Sequence, residues 1–109
     1  MNTEIKRGDV YYCRFEKNGN VQGGERPCVV VSNNSNNQFA DIVIVAPITS
    51  KKKKRIPTHV PIVVDEESTI LCEQITTVRK SDLISRRGHI KQMSMIDKSL
   101  KIALGVEIY

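Results

Sequence analysis

The stretch that decides the fold is residues 41–49, DIVIVAPIT, in which β-branched residues follow one another with little polar interruption. Val and Ile favour strands, and such a run is typical of a strand buried on both faces. Four other stretches share this composition: residues 9–15 (DVYYCRF), 27–32 (PCVVVS), 59–64 (HVPIVV) and 69–78 (TILCEQITTV). The sequence therefore predicts a curled antiparallel sheet with the strand spacing of a small barrel.

The segments between these strands have the composition of loops, and the C-terminal region has that of a helix. Residues 17–24 are rich in Gly, residues 33–38 in Asn and Ser, and residues 50–57 hold a basic run. Apolar residues then recur at helical spacing at Ile96, Leu100, Ala103 and Leu104. We expect Ser94 to cap this helix, Gly105 to end it, and a shorter helical turn to begin at Ser81. The predicted architecture is mainly β with a C-terminal helix, in one domain over residues 1–109.

The positive charge is concentrated in one segment. The chain has 17 Lys and Arg against 12 Asp and Glu, a formal net charge of +5. Without the consecutive Lys51, Lys52, Lys53, Lys54 and Arg55, basic and acidic residues would be equal in number. A local cluster of this kind suits a polyanionic partner such as nucleic acid, although many charge runs are only solvated loops.

The three cysteines and the apolar content indicate a cytoplasmic protein. Cys13, Cys28 and Cys72 are an odd number, far apart, and lie in apolar sequence, so we expect reduced core thiols without a disulfide. The longest apolar stretch, residues 42–48, is about a third of the ~20 residues that a membrane-spanning helix needs. The polar N-terminus lacks the features of a secretory signal. We expect no membrane association.

Two polar residues stand where predicted strands begin and end. Arg26 follows Gly23 and Gly24 and precedes Pro27, which holds it at the junction of a loop and a strand. It is either a surface arginine beside a turn or a guanidinium presented to an anion. Thr49 ends its strand and is either a turn former or a hydroxyl donor to a phosphate oxygen. If the two strands are antiparallel neighbours, both residues lie at the same rim.

Familiar catalytic motifs are missing from the sequence. It contains no phosphate-binding glycine motif, no HExxH and no G-x-S-x-G. Its two histidines and scattered cysteines match no zinc-ligand spacing. We therefore expect no metal and no cofactor.

Several short motifs occur in the order seen in one family. They are KRGDVY at residues 6–11, GGERP at 23–27, APITS at 46–50, PTHV at 57–60 and LCEQI at 71–75. Together they span most of the chain, which resembles MazF/PemK-type toxins of type II toxin–antitoxin systems. The resemblance implies a small SH3-like, plasmid-maintenance-toxin (CcdB-like) barrel with a C-terminal helix.

The resemblance also implies an activity and a catalytic pair. Such toxins are ribosome-independent, sequence-specific endoribonucleases, or mRNA interferases, which cut single-stranded mRNA without a metal. The RNA 2′-OH attacks the adjacent phosphate and leaves 2′,3′-cyclic phosphate and 5′-OH ends. The family's catalytic Arg and Thr correspond to Arg26 and Thr49. Arg26 would stabilise charge on the phosphorane, and Thr49 would hold a phosphate oxygen.

Further RNA contacts are expected from the same comparison. Glu73 and Gln74 match the family's Glu-Gln pair, but such a pair on a strand is also typical of an ordinary sheet-face contact. His59 either acts as an acid or base or contacts RNA, or it is a partly buried histidine with a structural role. The family's two loops over the RNA correspond to residues 17–24 and 50–57. They add Gln22, Gly23, Gly24, Lys51, Lys52, Lys53, Lys54 and Arg55 to the predicted RNA-binding residues.

The partners implied are single-stranded mRNA, a second copy of the chain and an acidic MazE-like antitoxin that occupies the same groove. Two other classes remain open from the residues. One is an SH3-like module that binds nucleic acid without cutting it. The other is a toxin that inhibits a protein such as gyrase, which would not need the G-x-R-P motif.

Overall fold

The computed structural model describes residues 4–16 and 24–106, which form a seven-stranded antiparallel sheet and two α-helices. In chain order the elements are β1 (Asp9–Phe15), β2 (Gly24–Val30), α1 (Asn34–Phe39), β3 (Ile42–Thr49), β4 (His59–Val64), β5 (Glu66–Leu71), β6 (Thr76–Arg79), β7 (Leu83–His89) and α2 (Ser94–Leu104). Short 3₁₀ helices, Cys72–Gln74 and Lys80–Asp82, flank β6. Within the described residues, neither α-helix is long and apolar enough to cross a bilayer.

The strand β3 organises the sheet. It pairs with β2 along one edge, and along the other with β6 near its start and β5 near its end. The strand order is β4-β5-β3-β2-β1-β7, with β6 beside β3. The predicted mainly β fold with a C-terminal helix is confirmed, but the sheet is not closed into a barrel. Among the described strands, β4 and β7 stand at its two ends and share no ladder.

Alternate side chains of β3 enter two separate hydrophobic clusters. Val43 and Val45 pack with Tyr11, Val30 and Val78, whereas Ala46 and Ile48 pack with a cluster that also contains Ile96 of α2. Successive residues of a strand point to opposite faces, so a strand covered on both sides must be apolar throughout. The continuous run in residues 41–49 therefore reflects burial on both faces.

The KRGDV motif joins the last strand and the last helix to the sheet. The Asp9 carboxylate, 1% exposed, accepts hydrogen bonds from His89 Nδ1 at 2.8 Å and from the Lys6 backbone N–H at 2.9 Å. Arg7 donates to Asp97 Oδ1 at 2.6 Å and to the Val31 carbonyl at 2.8 Å. Buried carboxylates are stable when hydrogen bonds satisfy them. This motif thus links β7 to β1 and α2 to Val31, the residue that follows β2.

The helix α2 differs from the prediction at its start and agrees at its end. Ser94 is its first residue and not its cap; Met93 is the N-cap and makes no side-chain capping bond. Asp97, in the first turn, pairs with Arg7 instead. Gly105 ends the helix with a φ of 70°, a left-handed conformation that glycine adopts without strain.

Other differences arise where tertiary pairing outweighs local composition. Residues 69–78 are not one strand, because the 3₁₀ helix Cys72–Gln74 divides β5 from β6. The segment 33–38, expected to be a loop, contains most of α1. Asn33 caps that helix by accepting from the Asn36 N–H at 2.8 Å, and the buried Asn37 hydrogen-bonds to Ser32. The exposed strand β7 was not predicted, since it has no apolar alternation. The predicted short helical turn is present at Lys80–Asp82.

The expectation of three reduced thiols is wrong. Cys13 and Cys28 form a disulfide between β1 and β2, and Cys72 is free and buried. In the β1–β2 ladder Tyr11 lies opposite Cys28 and Cys13 opposite Arg26, so the two cysteines are diagonal neighbours on one face. Their Cα atoms are 6.3 Å apart, within the range that a disulfide spans. Only the strand register reveals this proximity.

Candidate nucleic-acid interface

Two cavities adjoin on the surface of the sheet, and Arg26 and Gln74 line both. The larger has a volume of about 860 Å³ and the smaller about 550 Å³. Arg14, Phe15, Ile42, Ile75 and Arg79 contribute to the larger, together with the acidic Glu16 and Asp82. Tyr12, Thr49, Lys51, Lys53, Asp65 and Arg87 contribute to the smaller. Arg26 and Gln74 thus mark the place where the two cavities meet.

The strand β2 holds Arg26 at this place. The strand begins at Gly24, whose φ of 118° favours glycine, although a Cβ there would meet nothing within 4 Å. Backbone conformation, and not crowding, therefore accounts for this glycine. The Arg26 guanidinium carbon lies 6.0 Å from the centre of the Phe15 ring, within cation–π range.

Thr49 lies on the same rim as Arg26. In the β2–β3 ladder Cys28 is opposite Pro47, and the same register, continued, sets Arg26 opposite Thr49. Both residues line the smaller cavity. The Thr49 hydroxyl accepts a hydrogen bond from the Lys51 N–H at 3.2 Å, which leaves its own proton available to a ligand oxygen.

The basic segment, residues 51–55, divides into two sets. All five side chains are exposed, but only Lys51 and Lys53 line the smaller cavity. Lys52, Lys54 and Arg55 line neither cavity. One contact holds the segment and another the residues that follow it: a ring nitrogen of His59 bonds the Lys54 carbonyl at 2.8 Å, and Ser99 of α2 donates to the Pro57 carbonyl at 2.7 Å.

His59 and Glu73 form a pair that supports this segment. His59 Nε2 lies 3.0 Å from Glu73 Oε2, while Nδ1 contacts the Lys54 carbonyl. Both partners are acceptors, so both ring nitrogens donate, as they do in a protonated imidazolium. Neither residue lines either cavity. RNA contact by these two residues stays a prediction.

The pKa values of this pair move apart. Burial by itself would lower the pKa of His59, but the hydrogen bonds to Lys54 and Glu73 outweigh it and raise the pKa above 6.5. Burial would likewise raise the pKa of Glu73, but hydrogen bonds from His59, its own backbone and Thr58 lower it below 4.5. Both shifts favour the charged pair near neutral pH.

The remaining predicted residues have different outcomes. Gln22 and Gly23 lie outside the described residues. Gln74 lines both cavities, and its amide approaches Glu73 Oε2 at 3.5 Å.

The thiol of Cys72 takes no part in catalysis at neutral pH. Burial, followed by the charge of the neighbouring Glu73, raises the pKa of Cys72 to about 11, so this thiol is no nucleophile at neutral pH.

The sequence did not predict many of the residues that line the cavities, among them the cationic or aromatic Tyr12, Arg14, Arg79 and Arg87. The only local signal for Arg87 is the pair of arginines at 86 and 87, in a strand that composition does not reveal. In residues 4–16 and 24–106, no group of three or more His, Cys, Asp and Glu side chains is placed to hold a metal ion.

The fold and the cavities define a class of small, mainly β proteins with a C-terminal helix and an arginine-lined groove. The family model described as "PemK-like, MazF-like toxin of type II toxin-antitoxin system" matches residues 6–104. The chain belongs to this family.

Solved structures agree with this assignment. An endoribonuclease from a mycobacterial species is 25% identical, with a TM-score of 0.82 and coverage of 98% of this chain and 97% of that one. A mycobacterial endoribonuclease in complex with its cognate antitoxin is 28% identical, with a TM-score of 0.81 and coverage of 96% and 99%. MazF from Deinococcus radiodurans shares the fold at 20% identity, with a TM-score of 0.83 and coverage of 95% and 99%.

Proposed function

We propose that this protein is a toxin that cuts single-stranded mRNA in the cytoplasm, sequence-specifically and without the ribosome or a metal ion. The observation that carries the proposal is the presence of Arg26 and Thr49 on one rim of a cavity that also contains Lys51 and Lys53. Mycobacterial relatives of similar fold are described as endoribonucleases, which supports the same class of substrate.

The reaction is a transesterification within the RNA. The 2′-hydroxyl gives up its proton to water as its oxygen forms a bond to the adjacent phosphorus, the bond from phosphorus to the 5′-oxygen breaks, and that oxygen takes a proton from water and leaves as a hydroxyl. Arg26 stabilises the charge that grows on the phosphorane, and the Thr49 hydroxyl donates to a non-bridging oxygen. A guanidinium is a poor base because its pKa is so high, so Arg26 acts through its charge and its hydrogen bonds.

The two adjoining cavities suit a strand that extends beyond the cut. In this proposal the RNA crosses the rim at Arg26 and Gln74, with nucleotides in both cavities. Gln74 offers an amide donor and acceptor for a base edge. The basic residues supply affinity that does not depend on sequence.

The proposed partners are a second copy of the chain and an acidic antitoxin tail. Exposed apolar side chains on or just after α2, among them Met95 and Leu104, suit burial in a homodimer. A relative has been solved in complex with its cognate antitoxin. If the tail uses the basic segment, reversing the charges at residues 51–55 weakens antitoxin binding; an unchanged affinity would contradict that part of the proposal.

The chemistry of the product ends tests the function. Purified protein is incubated with a long RNA of mixed sequence in excess EDTA, and the new ends are mapped. We expect cuts at a short recurrent sequence, with 5′-OH and 2′,3′-cyclic phosphate ends. RNA that is bound but left intact would instead identify a nucleic-acid-binding module. Cleavage that occurs only when Mg²⁺ is restored would contradict the metal-independent reaction.

A further inference from the structure

An ion pair connects the two ends of the open sheet beside the smaller cavity. Arg87 lies in β7 and Asp65 in the turn between β4 and β5, and β4 and β7 are the terminal strands of the sheet order. Arg87 Nη2 is 3.4 Å from Asp65 Oδ2. Asp65 has a φ of 63°, a left-handed conformation that Asp tolerates better than most residues. Side chains thus bridge the sheet here, where no backbone ladder among the described strands joins its two ends.

Arg87 is also positioned toward the proposed RNA site. It lines the same cavity as Arg26 and Thr49. Its guanidinium carbon lies 5.7 Å from the centre of the Tyr12 ring, and Tyr12 lines this cavity too. An aromatic ring under a guanidinium restricts its orientation while leaving its N–H groups free to bond an anion.

The pair itself is accessible to solvent. The Arg87 side chain is 47% exposed and that of Asp65 75%. Exposed ion pairs contribute little to stability because water solvates both charges. A phosphate competing for the guanidinium would therefore displace the carboxylate at small cost, and arginine binds phosphate oxygens in the same forked geometry.

From these contacts we propose that Arg87 is a second phosphate-binding arginine, which exchanges the Asp65 carboxylate for a backbone phosphate next to the scissile one when RNA enters. This inference rests on the proposed function. Arg87 binds a neighbouring backbone phosphate, whereas Arg26 stabilises the charge at the phosphorus that reacts. Asp65 is then the anion that occupies the Arg87 guanidinium while the site is empty.

Opposite effects of the two partners distinguish this role from a structural one. The variants are Arg87→Ala, Asp65→Asn and the control Lys91→Ala; Lys91 is an exposed residue between β7 and α2 that lies outside both cavities, and its loss also removes one positive charge. Binding is measured with a 2′-O-methyl RNA, which cannot be cut, over a range of KCl concentrations. Cleavage of ordinary RNA gives kcat and KM.

We expect Arg87→Ala to raise the Kd and KM about 10-fold relative to Lys91→Ala, with kcat changed less than about 2-fold. In a plot of log Kd against log salt concentration, the slope for Arg87→Ala should be about 0.7 smaller than that for the wild type. This is the contribution of one phosphate contact on a single strand. Asp65→Asn should bind RNA as tightly as the wild type or more tightly.

Two results would overturn the inference. In the first, Arg87→Ala matches Lys91→Ala in Kd and in salt slope. In the second, Asp65→Asn weakens binding as much as Arg87→Ala does, which means that the pair acts only as a structural bridge. If the wild type binds RNA without cutting it, the proposed nuclease function fails, while the Kd comparison still tests Arg87.

Discussion

Arg26 and Thr49 each lie two residues beyond Cys28 and Pro47, the last pair of the ladder between β2 and β3, and both line the smaller of two adjoining cavities. Far apart in sequence, they come together because β3 is buried on both faces and pairs directly with β2. The core of the fold and the candidate site thus depend on the same ladder. A guanidinium and a hydroxyl placed in this way suit a phosphate with growing charge.

The hydroxyl of Thr49 is expected to act on the reaction and not on folding. Thr49→Val keeps the shape of the side chain and removes the hydroxyl, so we expect the single-turnover cleavage rate to fall about 100-fold. Thr49→Ser keeps the hydroxyl and should stay within about 10-fold of the wild type. Thermal melting checks that both variants fold. Equal rates for Val and Ser would show that the hydroxyl has no role.

The two halves of the basic segment should differ in RNA affinity. Lys51 and Lys53 line the smaller cavity, whereas Lys52 and Lys54 do not. The double change Lys51→Ala with Lys53→Ala should reduce the salt slope of RNA binding by about 1.4, as expected for two phosphate contacts. The matched control is Lys52→Ala with Lys54→Ala, which removes the same charge. If both double variants lose affinity equally, only net charge matters.

The His59–Glu73 pair should make stability depend on pH in a defined direction. The raised pKa of His59 means that its contribution is complete below 6.5 and is lost as pH rises through the folded-state pKa. The lowered pKa of Glu73 means that its contribution is present above 4.5 and is lost as pH falls through the folded-state value. The pair therefore stabilises most between these two limits.

Melting of the wild type and His59→Gln measures this dependence. We expect the wild type to exceed the variant in Tm by more at about pH 5.5 than at about pH 9. Glu73→Gln should remove the same dependence. A Tm difference that is constant or grows toward alkaline pH would contradict a charged pair.

Thiol titration distinguishes the disulfide from free cysteines. With Cys13 bonded to Cys28 and Cys72 buried with a pKa of about 11, the native protein should show no rapidly reacting thiol. Denaturation without reductant should expose one thiol, and denaturation with reductant three. Cys72→Ser, the control, should expose none until reduction. Three thiols on denaturation alone would show that the pair is reduced.

Patterns within single elements predicted much of this fold. The bounds of β1 and β4 match the sequence prediction, and β3 is one residue shorter, because their composition is set by burial within each strand. What the sequence did not predict depends on pairing between distant strands. The break at Cys72–Gln74 exists because β3 pairs with β5 and β6 in turn, and β7 is an exposed edge with no apolar alternation.

The candidate site likewise combines residues that the sequence could indicate with residues that only pairing between distant strands brings together. The resemblance to MazF/PemK-type toxins pointed to Arg26 and Thr49; Thr49 ends β3 as expected, whereas Arg26 is the third residue of β2 and not at a loop–strand junction, because β2 begins at Gly24. Arg87 and Tyr12 come from β7 and β1, and they join the cavity through strand pairing, in which Tyr12 lies opposite Pro27 of β2 and Ser85 of β7. The disulfide was missed for a related reason, since Cys13 and Cys28 become neighbours only in the β1–β2 register.

Parallel measurement of cutting and binding by Arg26→Ala tests the central claim most directly. In excess EDTA, single-turnover cleavage of one defined RNA is compared with the Kd for its 2′-O-methyl analogue, with Lys91→Ala as the control for charge. We expect Arg26→Ala to lose about 100- to 1,000-fold in cleavage rate while its Kd changes less than about 10-fold. Undiminished cleavage by Arg26→Ala would contradict the account, because the reaction would then take place without the residue on which the proposed site depends.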